Sequence, residues 1–257
     1  MIGAGAEGGA VRRDPLLPRP MAVFRELGRE PGKNRSAAAA GDVSAADSAE
    51  IELLYRVVGR GTALIADLRE GERVSIVGPL GRGFLEQGQK QGQEQVAAAE
   101  PGPALLVGGG TGIASLYELA RLLIAQGRSV RVLLGARGEA DLLAWSDFGA
   151  LGCELIGATE DGSAGVKGLV TRPLADCLAS TPRATVYAVG PTPMMRACAE
   201  LAARHAATCI VSLENPMACG FGVCLGCAAP LASGGYALVC RTGPVFDARE
   251  IDWAGLP

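Results

Sequence analysis

The sequence predicts an α/β plus β fold. It consists of a doubly wound parallel α/β nucleotide-binding domain, with β-rich chain before it and a cysteine-bearing segment after it. Three observations carry this reading. Short apolar runs alternate with helix-period runs across residues 104–213. A glycine loop follows the first of those apolar runs. Four cysteines, Cys219, Cys224, Cys227 and Cys240, form the pattern C-x4-C-x2-C-x12-C.

The first hundred residues carry β signals without helical partners. Residues 51–58, with Tyr55 and two valines, and residues 73–77 read as strands, and residues 20–24 are a further candidate. Two low-complexity stretches, 32–49 and 86–102, read as loops or insertions. From residue 103 the pattern changes. Strands are expected at 104–107, 129–134, 153–158, 185–189 and 209–213. Helices are expected at 114–126, 141–148, 169–179 (with Pro173 in its first turn) and 193–205. Residues 237–239 add a short strand near the end.

Composition narrows the function classes. A chain of 257 residues with 49% hydrophobic content has room for two small domains. A net charge of −3 argues against a nucleic-acid surface. No apolar run approaches the roughly 18 residues that a membrane span needs. The first ten residues lack the basic-then-apolar order of a signal peptide. These features lead to the expectation of a soluble cytoplasmic protein with no nucleic-acid or membrane partner. The single histidine, His205, lies among alanines on an expected helix and reads as a surface or packing residue.

The cysteine run is the most specific feature. Two close spacings and one distant return match the plant-type ligand pattern of a [2Fe–2S] cluster. Gly220, Gly222 and Gly226 separate the first three cysteines, so the loop can turn tightly and aim N–H groups at sulfur. Structural zinc is the competing reading, but zinc sites commonly pair two short knuckles, whereas here three cysteines are bunched and the fourth is alone. Cys153, Cys177, Cys198 and Cys209 are scattered singly and read as small buried hydrophobes rather than a disulfide framework.

Gly108, Gly109, Gly110, Thr111 and Gly112 follow an expected strand and open an expected helix. Glycines there let the backbone approach a pyrophosphate, and a helix N-terminus favours its charge. The spacing is not G-x-G-x-x-G, and the next strand ends in Gly135-Ala136-Arg137 with no ribose-binding acid. A tight connection without a ligand therefore stays open as an alternative, as does the choice between NAD and NADP. A second loop, Gly190-Pro191-Thr192-Pro193-Met194, would lie on the same sheet edge.

Several of these residues resemble a known family. The run from Ser212 to Cys227, the run from Val239 to Phe246, and Trp253 are similar to the C-terminal signature of electron-transfer subunits of two-subunit dihydroorotate dehydrogenases, within the ferredoxin–NADP reductase superfamily. Thr159 to Ser163, Gly59 to Thr62 and Gly78 to Phe84 are similar to earlier segments of that family. The resemblance implies a partial flavin-binding antiparallel β-barrel in residues 1–100. It implies an NAD-binding α/β domain in residues 101–212 and a [2Fe–2S] segment in residues 213–257. It implies electrons arriving from an FMN-containing catalytic subunit that oxidises dihydroorotate, in an assembly of two of each chain. They would pass through the cluster and FAD to NAD+. A related subunit serving ferredoxin or a sulfur compound is the alternative.

By the same resemblance, Cys219, Cys224, Cys227 and Cys240 ligate the cluster. Arg19, Pro20, Met21 and Ala22 match a flavin-binding R-P-x-S motif. Leu54, Tyr55 and Arg56, with Gly61 and Thr62, match the next flavin-contacting strand and turn. Gly108 to Gly112, with Gly190 and Pro191, would flank NAD. Two positions depart from the pattern: Ala22 replaces the motif's serine, and Val189 replaces a cysteine common before Gly-Pro. Family members also carry barrel strands ahead of the R-P-x-S motif, where this chain has eighteen residues rich in Gly, Ala and Pro. The expectation is a barrel short of its first strands, with unpaired edges.

Overall fold

The computed structural model describes residues 2–4, 19–28, 50–84 and 102–256. Its centre is a seven-stranded sheet of order β13-β10-β9-β5-β6-β7-β8. The strands are β5 (Ala104–Gly109), β6 (Val130–Ala136), β7 (Glu154–Thr159), β8 (Val166–Lys167), β9 (Thr185–Val189), β10 (Thr208–Ser212) and β13 (Val245–Asp247). All pair in parallel except β13, which runs antiparallel to β10. Every residue of β5 is buried, as a central strand covered on both faces requires.

Chain order explains the layers. From β5 the chain passes through α2 (Ala114–Ala125) to β6 and through α3 (Trp145–Ala150) to β7. Then α4 (Thr171–Ser180) leads to β9 on the other side of β5, and α5 (Thr192–Arg204) leads to β10. Leu116, Leu119 and Leu123 of α2 and Phe148 of α3 pack with Leu106, Val132 and Leu134 on one face of the sheet. Leu174 of α4 and Met195 and Cys198 of α5 pack with Leu105, Val107 and Val186 on the other. The winding reverses between β5 and β9, and in such sheets the crevice at that reversal, beyond the strand carboxyl ends, receives ligands.

The flanking regions dock on opposite faces. Phe24 packs on the α2 face, with its ring centroid 4.8 Å from that of Tyr117. The C-terminal segment packs on the α4–α5 face through Cys227, Val239, Cys240 and Phe246. That segment contains β11 (Ala228–Pro230) and β12 (Tyr236–Leu238), an antiparallel pair. It also meets the N-terminal region, where the Arg82 N–H donates to the Gly243 carbonyl at 2.7 Å.

The N-terminal region holds two antiparallel pairs: β1 (Ile2–Ala4) with β4 (Val74–Ile76), and β2 (Arg25–Leu27) with β3 (Glu50–Glu52). Among the described residues these pairs do not close into a barrel. The low-complexity stretches lie outside the described residues, apart from residue 102.

The expected elements of the sheet domain are all present, with ends shifted by a few residues, and four readings need correction. The strand expected at 51–58 ends at Glu52, opposite Arg25, the first residue of its antiparallel partner β2, so residues beyond Glu52 have no β2 residue to pair with. Gly61 and Thr62, expected on a turn, open the unforeseen helix α1 (Arg60–Ala66). The Thr62 hydroxyl holds that start, accepting from the N–H groups of Val58 and Gly59 and donating to the Gly59 carbonyl. The strand expected at 20–24 lies instead at Arg25–Leu27. The helix expected at 141–148 is a 3-10 turn at Glu139–Asp141 followed by α3, interrupted at Ala144 by a left-handed φ of +53°.

Candidate cofactor sites

The carboxyl ends of five adjacent parallel strands open onto one cavity of about 580 Å³. In sheet order, β10 is followed by Glu214, β9 by Gly190 and Pro191, and β5 by Gly110 to Gly112. Arg137 follows β6 and Glu160 follows β7. Strands lie about 4.8 Å apart, so this edge spans roughly 19 Å, room for an extended dinucleotide.

The glycine loop has the geometry a phosphate needs. Gly110 takes φ +58° and opens a 3-10 turn, Gly110–Ile113, that runs directly into α2. A Cβ at Gly112 would fall 2.9 Å from Val189 Cγ1 and 3.1 Å from the Gly190 N. A Cβ at Gly109 would fall 2.8 Å from Met194 Sδ. The two loops therefore close on each other through glycines, leaving backbone N–H groups and the start of α2 exposed to a ligand. Of the expected residues, Gly109, Gly110, Thr111, Gly112, Gly190 and Pro191 line the cavity. Gly108 does not: a Cβ there would overlap Ile113 and Leu116, so its role is packing between strand and helix.

Three acidic side chains on the cavity wall were not singled out by sequence reasoning: Asp141, Glu160 and Glu214. Each follows a strand end, and that position is the signal that could have found them. Glu214 is exposed where it opens into the cavity, and the protein around it partly desolvates its carboxyl, which raises its pKa. Asp141 pairs with Arg56, Oδ1 to Nη2, at 3.1 Å.

That pair separates Arg56 from the other expected flavin residues. Arg56 reaches the nucleotide cavity, whereas Arg19 lies over the start of α1, where a Cβ on Gly61 would collide with its guanidinium. Glycine lets the arginine fork lie against that backbone turn without being displaced, and such a planar fork suits pyrophosphate oxygens. Arg19 and Gly61 thus meet at the start of α1, with Thr62 the next residue of that helix. Pro20, Met21 and Ala22 follow in the same extended run, with Met21 half-buried and Pro20 and Ala22 exposed. Leu54 packs partly against the α2-face core, and Tyr55 is half-buried beside it in sequence.

The four clustered cysteines come together as two pairs. Cys227 and Cys240 are buried with their sulfurs 3.2 Å apart. Cys219 and Cys224 face each other across the exposed loop, and N–H groups of Cys224 and Phe221, with a smaller contribution from Val223, point at the Cys219 sulfur. Those donors lower the Cys219 thiol to about 6, which favours the thiolate that iron requires. Burial pushes Cys240 up to about 11, with Cys227 beside it adding to the shift. A coordinated metal overrides such a cost, because it deprotonates its thiol outright. Gly220 at φ +84°, Gly222 at +86° and Leu225 at +59° make the turns that aim these groups inward. Two sulfur pairs suit a two-iron core, which takes two protein ligands per iron. Among the described residues no three ligands converge on a single-ion site. No disulfide joins any of the eight cysteines, and Cys177, Cys198 and Cys209 are buried.

Comparison with known proteins agrees with this layout. Residues 214–252 match the iron–sulfur cluster binding domain of dihydroorotate dehydrogenase B, and residues 106–200 match the oxidoreductase NAD-binding domain. The electron transfer subunit of dihydroorotate dehydrogenase B (NAD(+)) from Caldanaerobacter subterraneus is 38% identical over 206 residues, 79% of this chain and 75% of the relative. The subunit of that name from Geobacillus kaustophilus is 36% identical over 244 residues, 94% of this chain and 82% of the relative. Among solved structures, an NADH-dependent reduced ferredoxin–NADP oxidoreductase superposes with a TM-score of 0.72 at 27% identity, covering 99% of this chain and 79% of that one. An Amycolatopsis cytochrome P450 reductase shares the fold, with a TM-score of 0.52 at 22% identity over 79% of this chain and 56% of that one. The chain belongs to the family of dihydroorotate dehydrogenase B electron transfer subunits.

Proposed function

We propose that the chain is the electron-transfer subunit of an NAD+-dependent dihydroorotate dehydrogenase in pyrimidine biosynthesis. It works beside an FMN-containing catalytic subunit in a heterotetramer of two of each. In this reading residues 1–100 serve the flavin, residues 101–212 the nicotinamide nucleotide and residues 213–257 the cluster. The observation that carries it is the cysteine segment, matched by the family and arranged as two sulfur pairs on a sheet that also holds a dinucleotide-sized cavity.

When bound, the [2Fe–2S] cluster carries single electrons, FAD exchanges one for two, and NAD+ accepts hydride. The chain's residues supply places and charges. Cys219, Cys224, Cys227 and Cys240 hold the cluster. Arg19, with Gly61 and Thr62, holds the FAD pyrophosphate, while Pro20, Met21, Ala22, Leu54 and Tyr55 line the flavin side. Gly109 to Gly112, Gly190 and Pro191 hold NAD. Arg56, tied to Asp141, bridges the flavin region and the nucleotide cavity. Glu214 places a carboxylate at the cavity end from which the cluster segment departs.

The cluster loop supports a docked partner. Phe221, Val223 and Leu225 are 56%, 73% and 62% exposed and surround exposed Cys224. Apolar side chains around an exposed ligand give a catalytic subunit a dry, close approach to the cluster. Cytoplasmic residence is part of the proposal, supported by eight cysteines without a disulfide. No helix among the described residues is long and apolar enough to cross a membrane.

The test is anaerobic co-expression with an FMN-containing dihydroorotate dehydrogenase subunit. The complex is expected to reduce NAD+ with dihydroorotate and to contain flavin, iron and sulfide. A second reading, a subunit exchanging electrons between NAD(H) and ferredoxin, is favoured by the ferredoxin–NADP oxidoreductase superposition. NADH-dependent ferredoxin reduction without dihydroorotate activity would select it.

A further inference from the structure

The cavity's two ends are chemically different, and that difference bears on which nicotinamide nucleotide it accepts. This inference rests on the cavity being the NAD site. The cluster segment departs from the sheet just after β10, with Glu214 on the cavity wall and Cys219 five residues on. Dinucleotide sites seat the adenosine ribose beside the strand that follows the glycine loop, β6 here, so the nicotinamide belongs at the β10 end. The pyrophosphate then meets the glycine loop after β5, and the adenosine ribose reaches the ends of β6 and β7.

Two charged groups line the cavity at that corner, Arg137 and Glu160. The backbone sets them side by side: the Glu160 N–H donates to the Ala136 carbonyl and the Asp161 N–H to the Arg137 carbonyl, both at 3.1 Å. The neighbouring carboxylates are already engaged. Asp161 accepts from the Ser163 N–H at 2.9 Å and its hydroxyl at 2.7 Å. It is folded against Gly138, where a Cβ would fall 2.7 Å from its Oδ2. Asp141 is paired with Arg56. Among the described residues Glu160 has no hydrogen-bond or ion-pair partner of its side chain and faces the cavity.

We propose that Glu160 is the residue that selects NAD over NADP, accepting hydrogen bonds from the adenosine ribose hydroxyls and repelling a 2′-phosphate. The carboxylate that dinucleotide sites commonly place after the second strand is supplied here one strand further on. Discrimination is then both attractive and repulsive. An ionised carboxylate accepts from two hydroxyls, and the same carboxylate opposes a phosphate dianion. Arg137, exposed beside it, offers a planar face on which the adenine stacks.

The experiment uses the full chain and two probes lacking nicotinamide, ADP and 2′,5′-ADP, with NAD+ in parallel, by titration calorimetry. ADP is expected to bind at least tenfold tighter than 2′,5′-ADP. Glu160→Gln, with the same shape and no charge, is expected to shrink that preference at least tenfold by weakening ADP and strengthening 2′,5′-ADP. Arg137→Ala is expected to weaken both probes alike. An unchanged preference in Glu160→Gln, a wild-type preference for 2′,5′-ADP, or a selective loss of 2′,5′-ADP binding in Arg137→Ala would each overturn the assignment while NAD+ binding upheld the site. Failure of both NAD+ and ADP to bind the wild-type chain would overturn the site and the assignment together.

Discussion

Replacing Gly112 with alanine tests the close approach of the two cavity loops. The added methyl would lie 2.9 Å from Val189 Cγ1, and 3.1 Å from both the Val189 carbonyl carbon and the Gly190 N. Two of those three atoms are backbone, so no rotamer change relieves the clash. The strand end carrying Gly190 and Pro191 must shift by several tenths of an ångström. Overpacking of this kind costs about 1–3 kcal/mol, a roughly fivefold to hundredfold fall in the folded-to-unfolded ratio. Gly149 supplies the control, because a Cβ there meets nothing within 4 Å and the residue is helical in α3. Alanine at Gly149 should stabilise by about 0.5–1 kcal/mol. Urea titration measures both changes, and calorimetry measures NAD+ affinity, expected to fall at least tenfold in Gly112→Ala and to hold in Gly149→Ala. If Gly112→Ala matched Gly149→Ala in stability and kept its affinity, the two loops would not be in contact as described.

Cys224→Ser should abolish the visible absorption of the cluster, whereas Cys198→Ala, in the buried α5 face, should keep the spectrum and lower stability by about 1 kcal/mol; loss of colour in both would show that Cys198 also matters to the cluster. Glu214 has a carboxyl pKa raised by burial, so the folded state binds its proton more tightly than the unfolded chain. Its contribution is favourable below the unfolded value of about 4.3 and is lost as pH rises through the raised folded value. Glu214→Gln should therefore raise the melting temperature at pH 8 and leave it nearly unchanged at pH 4, and a shift equal at both pH values would contradict the burial account. Arg25→Ala removes ion pairs to Glu52 and Asp147, at 2.6 and 2.9 Å, and stacking on Phe24 and Tyr117. All three side chains are partly exposed, so a loss of about 1 kcal/mol is expected, smaller in 1 M salt.

The sheet domain was legible because burial on both faces writes itself into composition. Leu105 to Val107 and Val186 to Val189 are apolar runs with no alternation, and the helices between them carry one apolar stripe each. The cysteine segment was legible because ligand chemistry fixes both residue type and spacing. The N-terminal region was less so. A strand persists only as far as it has a partner, and β3 ends opposite the first residue of β2. Helix α1 follows Gly59 and begins with Arg60-Gly61-Thr62, so its start depends on the Thr62 hydroxyl rather than on propensity. Glu160 and Glu214 were visible as letters but not as wall residues, because membership of a cavity is set by strand order, which local sequence does not contain. Arg56 shows the same limit: its motif pointed to the flavin, and nothing in that motif foretold its ion pair with Asp141 on the cavity wall.

The antiparallel pairing of β13 with β10, Ser212 opposite Val245, has a consequence for how the cluster is assembled. Everything between those two residues, all four ligands included, is a loop whose ends are fastened to one another at the sheet. Much of the entropy needed to gather distant cysteines is therefore already removed when the sheet folds. A metal-free chain would keep its ligand loop tethered rather than free-ended, and delivery of iron and sulfide would fill a prepared ring. Fraying beyond Trp253 would leave that ring closed.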